Sequence, residues 1–412
     1  MSDASPRLRA EDISLNRRTI AFVLLMVFEF FYGWSWNTVD VLRPQIREEL
    51  GLTLTQAGSA YTAQSLGALI GSIGFGVLAD RYGRRPMLMV IVVGTSVAAA
   101  AGAYVTSYEL LLLQRFVLGV FLGGNFPVLI ATYMGLFSSG VRGKLASVGQ
   151  GTYNLSVIAL GMAYGMFAER SDWHLLLLFG SVPALVLAPL ILWLIPDDRK
   201  MIAFGADPHE PKSERMPLLE LFSPGLRRTT WLLFALVALN FFAYQAFAGW
   251  TTTFLKEDQG LTSETIGWIV SAQFTGALIG GFFWGWFSDR FGRRPTGIGF
   301  VLGALSVLAY ITIADSPMGF AVAGFCWGFA ITASVAWAPW MSELYPMRVR
   351  SSAMSIFNWG RIISMTAPLV TGEIAARFGL ETAMSLGILG FGLGALVWFA
   401  LPETVSRRTA AN

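Results

Sequence analysis

The segment GVLADRYGRRP at Gly76–Pro86 returns as GWFSDRFGRRP at Gly285–Pro295, 209 positions further along. Upstream, Ala63-Gln64 and Gly67-Ala68-Leu69-Ile70-Gly71 recur as Ala272-Gln273 and Gly276-Ala277-Leu278-Ile279-Gly280. In each copy a long apolar run enters a short basic loop. A chain built this way is one helical lobe duplicated, with a pathway between the two copies. Water-soluble helices carry a polar face. These runs have almost none, so the expected solvent is lipid.

Composition agrees. The 412 residues are 54% hydrophobic and only 13% charged, with a mean hydropathy of +0.58, whereas ordinary soluble domains carry about 25% charged residues. Runs of about 20 apolar residues, long enough to span a bilayer, are read at 19–41, 54–78, 87–106, 109–136, 145–168 and 174–195, then at 229–254, 264–287, 297–314, 318–341, 352–375 and 382–401. The expected fold is an all-α membrane protein with twelve transmembrane helices in two pseudo-symmetric six-helix bundles. The bundles are residues 1–195 and 229–412, joined by a polar linker over 196–228. Within that linker, Pro217–Phe222 reads equally well as a short interfacial helix or as plain loop.

Basic residues set the orientation. With both termini cytoplasmic, the outer loops hold Arg43, Arg47, Arg170, Lys256 and Arg377, and Arg115 and Arg361 fall inside spans. The rest of the 29 basic residues then lie on the inner side, as the positive-inside rule requires. The net charge of +3 is therefore a topology signal, and no nucleic-acid partner is expected. Met1–Arg18 lacks the apolar core of a cleavable signal peptide. The lone Cys326, and the histidines His174 and His209 in a turn and in the linker, support neither an internal disulfide nor a metal site. No Gly-x-x-x-x-Gly-Lys-Ser/Thr loop is present, so ATP drive is not expected. No cofactor is expected either.

Gly76, Asp80-Arg81 and Gly83-Arg84-Arg85, with their second copy Gly285, Asp289-Arg290 and Gly292-Arg293-Arg294, resemble the loop signature of the major facilitator superfamily. Both copies sit between the second and third helices of a half, as in that family. Arg115-Phe116, Gly119 and Gly123-Gly124 resemble its fourth-helix signature. Pro196-Asp197-Asp198 and Pro402-Glu403-Thr404 close the sixth and twelfth spans much as in sugar porters. Ser342-Glu343-Leu344-Tyr345-Pro346, Arg348, Arg350 and Gly360-Arg361-Ile362 are similar to proton-coupled carriers of aromatic and other organic acids. So is Glu220-Leu221-Phe222 ahead of Arg227-Arg228. Two departures stand out. Asn37-Thr38-Val39-Asp40 keeps only the second acid of those carriers' Asp-Gly-x-Asp, and Gly135 stands where the second half has Glu343.

The resemblance implies a secondary carrier working by alternating access. Its expected partners are protons, a small organic anion and the lipid bilayer, and it is expected to be a monomer in the plasma (bacterial inner) membrane. A sugar–proton symporter and a drug–proton antiporter of the same fold are the rivals. Gly151–Phe167 lacks the Gly-Pro signature of antiporters, and the seventh helix lacks the paired glutamines of sugar porters. A membrane enzyme would need a nucleophile–base or metal cluster, and the sequence offers neither.

Ionisable residues inside spans cost about 2.5–3.5 kcal/mol each and so mark function by default. Glu29 lies mid-span in the first helix and Asp40 eleven residues on, about 16 Å along and back on nearly the same face. Tyr32, Gly33 and Trp36 share that stripe. Arg115, two turns inside the antiparallel fourth helix, lies at a depth comparable to Asp40, and the two are expected to pair as a proton-coupling unit. The alternative has Arg115 bracing helix packing and Asp40 capping a loop. Glu29 is either a second proton site or a carboxyl held neutral by a neighbouring helix. Arg361 has no acid on its own face nearby; its planar fork suits a substrate carboxylate, and the alternative pairs it with Glu29 or with carbonyls.

The remaining substrate-binding candidates are Trp36, Gln64, Gln150, Asn154, Asn240, Tyr244, Gln273, Trp337 and Asn358. Asn240, Tyr244, Phe247 and Thr251 form one helical stripe, as do Ser147, Gln150 and Asn154, and Gln64 and Gln273 are equivalent in the repeat. Each reads alternatively as an interhelical hydrogen bond, or for the tryptophans as an interfacial anchor. The resemblance further implies a cytoplasmic latch made of Gly76, Asp80, Arg81, Gly83, Arg84, Asp289, Arg290, Gly292 and Arg293. On that reading, Asp80 and Asp289 cap a helix N-terminus or pair with an arginine.

Overall fold

The computed structural model describes residues 8–168, 173–198, 201–202, 220–346, 349, 353 and 356–405. Ten helices among them are long and apolar enough to cross a bilayer. They are Leu15–Val41, Leu54–Tyr82, Arg84–Tyr104, Tyr108–Leu136, His174–Leu194, Arg227–Asp258, Ser263–Phe291, Pro295–Thr312, Pro317–Leu344 and Leu380–Ala400. Two further helices complete the expected twelve. Ser139–Phe167, the fifth, carries Arg142 and Lys144 in its first turns. The eleventh is interrupted, running Ile356–Ser364 and then Ala367–Phe378 with a proline at its restart. Several helices outrun the apolar stretch that announced them: the second continues through Arg81 to Tyr82, because a polar last turn still completes backbone hydrogen bonds. The structure adds one short parallel pairing of Leu8–Arg9 with Met201–Ile202.

Contacts divide the chain into two compact units. The first comprises Met1–Val39, Ala63–Ser156 and Ser171–Ser213; the second comprises Asp40–Thr62, Val157–Arg170 and Glu214–Asn412. Residues 40–62 and 157–170 thus group with the C-terminal spans, a partition that differs from the repeat boundary.

The duplication is visible in how helices start and cross. Thr53 Oγ1 accepts from Gln56 N, and Thr262 Oγ1 from Thr265 N, at the heads of the second and eighth helices. Ser107 and Ser316 do the same for the fourth and tenth. Each such cap stabilises its helix by about 1 kcal/mol. In the first unit the second and fourth helices touch through glycines: a Cβ on Gly67 or Gly71 would lie 2.1 or 1.9 Å from the carbonyl oxygen of Phe116 or Val120. In the second unit, Gly276 and Gly280 meet Phe325 and Phe329 at 2.1 and 2.4 Å in the same way. Backbones this close gain dispersion contacts that lipid cannot supply.

Apolar packing fills the rest. In the first unit Leu25, Phe28, Leu88, Ile91, Leu129 and Ile191 share one core. The second unit is aromatic, with Phe300 edge-on to both Trp337 and Trp398. Large apolar side chains such as Ile73, Leu113, Phe282 and Leu393 face outward, which suits a lipid-facing surface.

Candidate functional site

In the first unit, polar residues of the first helix meet the fourth and fifth helices. Glu29 Oε2 accepts a 2.9 Å hydrogen bond from Asn125 Nδ2 of the fourth helix. Asn125 is buried, and its Oδ1 has no hydrogen-bond partner among the described residues. One turn on, Gly33 lets the fifth helix in: a Cβ there would stand 2.2 Å from Ser156 Oγ. Asn37 Nδ2 donates to Gly33 O at 2.7 Å and to Tyr153 Oη at 2.9 Å. The rings of Trp36 and Tyr153 lie 5.9 and 6.2 Å from Tyr32, forming an aromatic wall beside that amide. Gln64 Nε2 donates to Trp36 O. Arg115 is buried, with Nη1 donating to Thr38 Oγ1 at 3.4 Å.

Asp40 opens a second cluster, inside the second unit. Its Oδ1 accepts from Arg43 Nη2 at 2.5 Å and from Gln245 Nε2 at 3.0 Å. Arg43 also donates to Gly249 O and lies 4.4 Å above the Trp250 ring. Thr252 Oγ1 donates to Asp40 O, and Trp250 Nε1 to Thr371 Oγ1. Burial pushes the Arg43 guanidinium below its ordinary value against the opposing pull of Asp40 and Tyr61, though an arginine stays charged at any ordinary pH. Arg43 is a partner of Asp40 that the sequence reading had counted only as a loop cation. The three-residue spacing was the available signal.

The other candidates divide by burial. On the seventh helix Asn240, Phe247 and Thr251 are buried and Tyr244 is partly exposed. Tyr244 and Phe247 lie 5.5 and 5.0 Å from Trp327. Trp337 is 1% exposed, beside Phe300 and Trp398. Gln64 and Gln273 are both buried. Their backbone carbonyls lie where a Cβ on Gly119 or Gly328 would come within 2.0 or 1.9 Å, so the repeat-equivalent amides mark helix crossings. Gln150 is exposed on the fifth helix and Asn154 buried. Arg361 and Asn358 sit on Ile356–Ser364; their side chains lie outside the described residues, as do Arg170, His209, Arg348 and Arg350.

The two basic loops turn on Gly83 and Gly292, whose φ angles of 95° and 110° favour glycine. In the first loop Asp198 Oδ1 accepts from the backbone N–H groups of Arg84 and Arg85, and Arg84 Nη1 donates to Ala131 O. Asp80 and Arg81 are exposed, Arg81 lying over the Tyr82 ring; a Cβ at Gly76 would meet open space. In the second loop Glu403 accepts from the backbone of Arg293 and Arg294. The Arg293 side chain bonds Asp289 at 2.7 Å and Glu343 at 3.0 Å. Burial opposes the Arg293 charge, but Glu343 and Asp289 outweigh it and hold the guanidinium above its ordinary value. Burial likewise opposes the Glu403 charge, yet backbone donors from Val405, Arg294, Arg293 and Thr404 hold that carboxyl below its usual range. Asp289 therefore pairs with an arginine, while backbone capping falls to Asp198 and Glu403. Both had been read only as helix endings.

The Major Facilitator Superfamily profile matches residues 25–265 and 233–412. The chain is 26% identical over 407 residues to the gallate transporter of Pseudomonas putida, covering 90% of this chain and 88% of that protein. It is 25% identical over 397 residues to the 3-(3-hydroxy-phenyl)propionate transporter of Escherichia coli K12, covering 94% and 96%. In fold it is similar to the inward-facing, unoccupied crystal structure of a bacterial homolog of the human lysosomal transporter Spinster. There the TM-score is 0.75 at 16% identity, over 94% of this chain and 97% of that one. With twelve helices, doubled loops and a family match across nearly the whole chain, the protein belongs to the Major Facilitator Superfamily and is a multi-pass membrane transporter rather than an enzyme.

Proposed function

We propose that the protein is a proton-coupled symporter that carries a small organic anion, aromatic or otherwise carboxylic, across the inner membrane by alternating access, with both termini cytoplasmic. The observation that carries this reading is the polar, aromatic face of the first helix, where Glu29, Tyr32, Trp36 and Asn37 meet Asn125 and Tyr153 inside an apolar bundle. Acids in such a setting are costly unless they do work. The relatives named for gallate and hydroxyphenylpropionate support an aromatic carboxylate as cargo.

On this reading Asp40, Arg115 and Glu29 supply the charge changes that tie proton movement to conformation. Arg361 offers its guanidinium fork to the substrate carboxylate, with Asn358, Gln150, Asn154, Asn240 and Tyr244 as further polar contacts along the pathway. The two basic loops act as inner latches. Uptake into proteoliposomes with an inward proton gradient tests the proposal, using gallate, 4-hydroxybenzoate, a hydroxy acid and glucose as the panel. Gradient-dependent accumulation of an aromatic acid is expected. Accumulation of glucose alone, or acid uptake indifferent to the gradient, would overturn it.

A further inference from the structure

We infer that Glu29 is the carboxyl that carries the transported proton, and that Asn125 is the positioning residue that accommodates both of its protonation states. This deepens the proton-coupled reading above and rests on it.

The first helix offers two acids, and the structure surrounds them differently. Asp40 shares its Oδ1 with Arg43 and Gln245. Arginine has donors only, so a proton on Asp40 would strand a buried cation, with Arg43 only 1% exposed. Asn37, the residue at the other acidic position of the helix end, is an amide already bonded to Gly33 and Tyr153. It cannot titrate.

Glu29 meets neither obstacle. Its described hydrogen-bond partner is the neutral amide of Asn125, and among the described residues it has no ion pair. Among the described residues, the titratable group set against it is Tyr133, also from the fourth helix. Leu25, Phe28, Val128 and Leu129 make the surroundings apolar. An amide is a neutral side chain that serves a carboxyl in both forms. Its NH2 donates to the carboxylate, and after rotation its carbonyl oxygen accepts from the carboxylic acid. That oxygen, Asn125 Oδ1, is buried and has no hydrogen-bond partner among the described residues. Glu29 thus gains a proton on a carboxylate oxygen from water on one side and releases it to water on the other, keeping one hydrogen-bonding partner throughout and stranding no described cation when it is protonated.

The test uses proteoliposomes holding a pH-sensitive dye and the acid that wild type accumulates. Wild type should acidify the lumen as it takes up acid. Glu29→Gln should abolish that acidification and lower gradient-driven accumulation about a hundredfold, while exchange of labelled for unlabelled acid stays within about twofold. Asn125→Leu should move the pH midpoint of uptake by about one unit, as loss of one hydrogen bond does. Normal exchange with undiminished proton-driven uptake in Glu29→Gln would overturn the inference. If that variant neither accumulates nor exchanges, an unshifted pH midpoint in Asn125→Leu overturns it instead. Absence of acidification by wild type would sink the symport reading itself, a separate failure.

Discussion

At Gly76–Pro86 and Gly285–Pro295 nearly the same residues meet different partners. Both loops have their backbone tied down by a carboxylate from just beyond the last span of their half, Asp198 in the first and Glu403 in the second. Among the described residues, only in the second does the loop arginine also meet acids: the buried Arg293 is bonded to Asp289 and Glu343. Its counterpart Arg84 rests on the carbonyl of Ala131, because Gly135 stands where the second half has Glu343. Duplication has thus kept the geometric part of the loop twice and the electrostatic part once. A carbonyl dipole holds a guanidinium less firmly than two carboxylates do, so the first loop is expected to be the one that releases more readily.

The largest effect should come from Glu343→Ala. With the Arg293 side chain only 5% exposed, removing the more buried of its two acids leaves this cation with the exposed Asp289 alone and should cost about 3 kcal/mol, read as a lower unfolding midpoint in detergent. Arg84→Ala should cost well under half as much, and equal losses would break the comparison. Next come the shared carboxylates. Asp198→Ala and Glu403→Ala should each cost about 1 kcal/mol, the worth of an N-terminal helix cap, and a several-fold inequality would mean the two loops are not built alike.

A smaller effect sharpens the difference. Gly135→Glu supplies the missing acid, and a double-mutant cycle with Arg84→Ala should yield a coupling of about 0.5–1 kcal/mol. A coupling of zero would show that the first loop cannot accommodate the second loop's ion pair. The smallest effect is that of pH on the second loop. Glu403 is held below its ordinary value of 4.5, so its contribution is fully present above pH 4.5 and is lost as pH falls through the lowered value. This carboxyl is partly exposed, so solvent screens it and the decline should be slight. Glu403→Gln should remove it from a plot of unfolding midpoint against pH.

Much of the architecture was legible because it depends on local rules. Apolar run length and the glycines at matching offsets each act within a few residues or along one helix face. Helical spacing likewise put Glu29, Trp36 and Asp40 on one stripe. It did not say that Asn125, 96 residues away, would face Glu29. Nor did it show that Gln64 and Gln273, alike in the repeat, would lie buried against glycines.

The chain by itself therefore determined the lipid environment, the doubled plan and which side of each helix is polar, since hydropathy and periodicity are properties of consecutive residues. Only the tertiary structure decided who meets whom. It set Arg43 and Gln245 on Asp40, an amide rather than a cation on Glu29, and two acids on Arg293 where Arg84 has a carbonyl. Those pairings follow from how helices far apart in sequence cross, and crossings are set by packing small residues against backbone. No stretch of sequence read alone contains that information.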